Sequence, residues 1–62
     1  MKKEEEYVNR VVELINKKMV VSQSQETLRG YVSFYAPGCI HKGESAESLA
    51  EWIVKDLKSV QK

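Results

Sequence analysis

The sequence predicts an α+β fold in the order helix, strand, strand, strand, helix, with a three-stranded antiparallel sheet and both helices on one of its faces. Three observations lead there. Apolar residues recur at helical spacing up to Met19, residues alternate from Thr27 to Tyr35 ahead of a proline-glycine pair, and a second helical stripe follows Ser45.

In the first segment Val8, Val11, Val12, Ile15 and Met19 fall three and four residues apart, with Tyr7 and Leu14 widening the stripe. That spacing predicts a helix over about residues 3 to 18 with one buried face. Glu4, Glu5 and Glu6 lie at the positive end of its dipole, and Lys17 and Lys18 at the negative end. Three adjacent carboxylates on a helix point in different directions, so the glutamate run is a solvated helix start rather than an ion site.

Met19 to Gln23 begins with β-branched residues and reads as a strand, and Ser24, Gln25 and Glu26 read as a polar turn. From Thr27, alternation places Leu28, Val32 and Phe34 on one strand face and Arg29, Tyr31, Ser33 and Tyr35 on the other. Gly30 marks a bulge. Pro37-Gly38 supplies a fixed φ and a permissive residue for a reversal, and Cys39 to Lys42 forms a short third strand. Gly43 releases the backbone and Ser45 caps the last helix, whose stripe is Ala46, Leu49, Ala50, Ile53, Leu57 and Val60. Lys58 and Lys62 suit its C-terminal end, and Trp52 covers the rim of the core.

The 62 residues form one domain, 1–62. At this length a folded monomer hides only about 60% of its unfolded surface, so burial against a second copy is expected. An apolar share of 42% is too high for intrinsic disorder. A net charge of +1 from interspersed acids and bases provides no field for nucleic acid or anionic membrane. The first residues lead into an amphipathic segment, so neither a signal peptide nor a membrane span is expected. One cysteine, Cys39, forms no internal disulfide and fits a cytoplasmic setting.

On a strand Cys39 and His41 would share a side, the arrangement of a thiol with a histidine base. No orienting acid or oxyanion donor accompanies them, so no catalytic residues are assigned and the protein is expected not to be an enzyme. A zinc site needs about four ligands where this pair offers two, so neither a metal nor another cofactor is expected. The sheet face carrying Arg29, Tyr31 and Tyr35, joined by His41, is expected to be a partner or dimer interface, because tyrosine and arginine suit such contacts.

Val32-Ser33-Phe34, then Pro37-Gly38-Cys39-Ile40, then Gly43-Glu44-Ser45-Ala46-Glu47 resembles the HicB-like antitoxin domain over the last half of the chain. The resemblance implies a small protein that sequesters a partner, in that family a ribonuclease toxin. The element order also resembles the double-stranded-RNA-binding domain. Where that domain carries a lysine cluster, this chain has Ser45-Ala46-Glu47-Ser48, which would repel phosphates. The expectation is therefore a protein-binding regulator or inhibitor, homodimeric and cytoplasmic, of a size compatible with a phage or other mobile element. An RNA-binding module is the alternative.

Overall fold

In the computed structural model, which describes residues 2–60, the chain folds into three helices: α1 Lys2–Lys18, α2 Gln25–Lys42 and α3 Ala46–Val60. Lys62, and with it the dipole role assigned to it, lies outside the described residues. No strand occurs among the described residues, so the expected α+β fold and its sheet are corrected to an all-helical bundle.

α1 and α3 form where the apolar spacing places them. Val8, Val11, Val12 and Ile15 of α1 are buried against Leu49, Ala50, Ile53, Val54 and Leu57 of α3 and Leu28, Val32 and Ala36 of α2. Acids occupy the first turns of both helices and lysines the last, as the helix dipole favours.

α2 replaces the second and third expected strands and runs through the Pro37-Gly38 pair where a reversal is expected. The determining feature is burial at Leu28, Val32 and Ala36 together with half-burial at Tyr31, Tyr35 and Cys39, three- and four-residue steps that a helix places on one side and a strand would split between two faces. Phe34, assigned by alternation to the core with Leu28 and Val32, stands two residues beyond Val32. On a helix that is about 200° round the axis, so it faces outward and is 78% exposed. Pro37 has no N–H for the Ser33 carbonyl, a defect worth about 3 kcal/mol inside a helix. Both residues are on the exposed side, so the freed carbonyl is open to solvent rather than buried without a partner. Burial of Leu28, Val32 and Ala36 offsets the poor intrinsic propensity.

The ends of α2 are well defined. Ser24 is its N-cap, its Oγ accepting from the Thr27 N–H at 3.1 Å. At the C-terminus Gly43 adopts φ 78°, its N–H donates to Ile40 and that of Glu44 to Cys39, a Schellman closure that glycine accommodates best. Ser45 then caps α3, accepting from the Ser48 N–H at 3.1 Å, as the sequence predicts.

Met19 to Gln23, expected as a strand, is an irregular link. The Asn16 and Gln25 side-chain amides exchange hydrogen bonds of 2.6 and 3.2 Å across it. At the opposite end the Tyr7 hydroxyl reaches the Glu44 and Ser45 carbonyls, each at 3.0 Å, and shares its one proton between them. These ties make α2 antiparallel to α1, and the Arg10–Glu47 ion pair at 3.3 Å joins the middle of α1 to the first turn of α3. α1 packs closely against both other helices, whereas the backbones of α2 and α3 stand farther apart.

Candidate protein-contact face

The wider gap between α2 and α3 is spanned by aromatic side chains. Tyr31 and Tyr35, one turn apart on α2, meet edge to face with centroids 5.3 Å apart. Tyr35 meets Trp52 of α3 at 5.1 Å and Phe34 at 5.0 Å, again edge to face. Such contacts hold rings in fixed orientations and add about 0.5–1.5 kcal/mol each beyond simple burial. The result is a continuous ridge from the outer surface of α2 to the outer surface of α3, with Trp52 49% exposed at one end and Phe34 at the other.

Depressions flank the ridge. One, of about 340 Å³, lies between Cys39, Lys42, Glu44, Ser48 and Leu49 with Tyr35 and Trp52 as its wall. The other, of about 360 Å³, lies over Thr27, Leu28, Leu57 and Val60 beside Tyr31 and Asp56. The Tyr31 hydroxyl donates to Asp56 Oδ2 at 2.8 Å, and burial, followed by this bond and the carboxylate charge, raises its pKa well above the ordinary tyrosine value. Burial, then the neighbouring Cys39 and Glu44, also raise the Tyr7 phenol. Glu47 is held below the ordinary carboxylate range by its own backbone N–H and then by Arg10.

Of the four residues expected at an interface, Tyr31 and Tyr35 are brought together, half-buried, in the ridge. Arg29 lies apart from it, toward α1, where its guanidinium donates to Asn9 Oδ1. His41 is exposed near the end of α2. Sequence reasoning missed Phe34 and assigned Trp52 to the core rim. The signal for both was the mixed three- and four-residue spacing of Leu28, Tyr31, Val32, Tyr35 and Ala36, which turns Phe34 outward and aims Tyr31 and Tyr35 sideways at α3.

Cys39 and His41, two residues apart, project about 200° apart on a helix, so the shared side that a strand would give them does not arise. Cys39 is a half-buried free thiol packed at the core margin. Among the described residues no group of three or more His, Cys, Asp or Glu side chains converges as metal ligands, and no helix is long and apolar enough to cross a membrane.

The fold and the ridge together define a small three-helix bundle with a partly exposed aromatic face. No family model matches the chain, and comparison with curated proteins and with solved structures likewise gives no match.

Proposed function

We propose that the chain is a non-enzymatic, cytoplasmic protein-binding module, a regulator or inhibitor that engages its partner through the aromatic face of α2 and α3. The observation that carries this reading is the Phe34–Tyr35–Trp52 ridge, in which Tyr35 meets each of the other two rings edge to face and the end rings are exposed. Rings fixed in the free protein lose little freedom on binding, and tyrosine and tryptophan are the residues that most often dominate interface energies. The depression walled by Tyr35 and Trp52 can receive an apolar side chain, with Lys42 and Glu44 at its margin for polar contacts. A formal charge of +1 favours a protein partner over a phosphate backbone.

The test is site-specific photocrosslinking in the native host with a photoactivatable residue at Ser48, which lines the same depression and leaves Trp52 in place, and a control at Lys17 on α1. A protein captured from position 48 and not from Lys17, whose purified form binds the chain about tenfold more weakly after Trp52→Ala, supports the reading. Equal capture at both positions, or binding indifferent to Trp52→Ala, contradicts it.

A further inference from the structure

The outer surface of α2 carries Glu26, Gly30, Phe34, Gly38 and Lys42 at four-residue steps, and all five are exposed. This row is symmetric about Phe34. A glycine stands four residues to either side, and eight residues away stand a carboxylate on one side and an ammonium on the other. Turning the helix end for end superimposes ring on ring, glycine on glycine and acid on base.

We infer that this row is the seam for a second copy of the chain, laid antiparallel across α2 about a twofold axis near Phe34, so that Glu26 faces the partner's Lys42. The inference rests on the reading of the aromatic ridge as a protein-contact surface and names the occupant of its α2 end.

Three observations support it. Phe34 is 78% exposed yet its ring is fixed against Tyr35, an apolar group positioned for a contact the single chain does not make. Gly30 and Gly38 make the helix less stable than alanine would, and the backbone does not need them, since Gly43 is the glycine with positive φ. Each has open space where a Cβ would stand, which lets a neighbouring helix approach the backbone on both sides of the ring. Finally, Glu26 and Lys42 form no ion pair within the chain among the described residues. A parallel pairing would set like charges together at both ends, whereas the antiparallel one joins opposite charges at both.

Four-residue rows packed ridge into groove give crossings near −50°, the commonest class between helices. The row spans about 24 Å at the helical rise of about 1.5 Å per residue. A seam one helix wide and of that length belongs to the small end of interface sizes, the class of weak and transient associations, so self-association is to be sought at micromolar concentrations. Charges at its rim determine orientation and salt dependence more than affinity.

The test uses the whole chain, with sedimentation equilibrium over a micromolar range at low salt and circular dichroism to check that each variant is helical. The wild type should approach twice the chain mass, and Phe34→Ala should remain near one. Glu26→Lys and Lys42→Glu, each of which puts like charges at both ends of the seam, should each dimerise about tenfold more weakly. Mixing the two should restore association as a one-to-one heterodimer, and the double variant should regain self-association. A wild type of single-chain mass throughout, or a dimer indifferent to the charge exchange, overturns the seam. Either result leaves the docking reading intact if the partner captured at position 48 still requires Trp52, and a seam that passes while that capture fails makes a second copy the occupant of the ridge in place of another protein.

Discussion

Tyr31 of α2 and Asp56 of α3 are joined by a 2.8 Å hydrogen bond where the two helix backbones stand apart, so a side-chain bond holds one wall of the bundle closed. Tyr31→Phe keeps the ring contact with Tyr35 and removes only the hydroxyl. Because the site is partly solvated, the loss should be about 0.5–1 kcal/mol, below the roughly 1.5–3 kcal/mol typical of a bond to a charged group, and urea unfolding reads it directly.

The same tyrosine makes stability depend on alkaline pH. A phenol whose pKa is raised in the folded chain favours folding fully below its unfolded value, near 10.0, and loses that contribution as pH rises beyond it. Tyr7 is raised in the same direction. Thermal melts should therefore be level as pH approaches that value and decline above it, with a shallower decline in Tyr31→Phe. Parallel profiles for the two proteins would contradict the assignment.

Two glycines should respond in opposite ways to the same substitution. Gly43→Ala forces a side chain into φ 78° and should destabilise by about 1 kcal/mol although the space around it is open. Gly30→Ala lies in regular helix with open space beside it and should stabilise the isolated chain by about 0.5–1 kcal/mol while weakening self-association. Denaturant melts at low concentration separate the two effects from dimerisation.

Ile53 and Phe34 provide the corresponding contrast for side chains. Ile53 is wholly buried between the helices, and Ile53→Ala should cost about 2–5 kcal/mol, enough to unfold much of so small a domain. Phe34→Ala should cost the monomer no more than about 1 kcal/mol, because the ring lies outside the core and only its edge contact with Tyr35 is lost.

The contrast also shows what the sequence made legible. α1 and α3 were readable because broad apolar stripes, acidic starts and lysine ends agree, and Gly43 and Ser45 were readable as a stop and a cap. α2 was not, because its stripe narrows to Leu28, Val32 and Ala36 among β-branched, aromatic, glycine and proline residues that favour strands and turns. Its helix is imposed by packing on α1, and local preference gives way to burial. The aromatic surface was half legible. Tyr31 and Tyr35 were identified by residue type, while Phe34 was placed in the core by a two-residue period that the backbone does not follow.

The most direct measurement is backbone assignment of Gln25 to Lys42 by nuclear magnetic resonance, since the ridge, the depressions and the seam all depend on α2 being one helix. The account predicts helical Cα shifts and sequential amide contacts running unbroken past Gly30 and resuming beyond Pro37 to Lys42. Extended shifts from Thr27 to Tyr35, with cross-strand contacts to Cys39–Lys42, would contradict it.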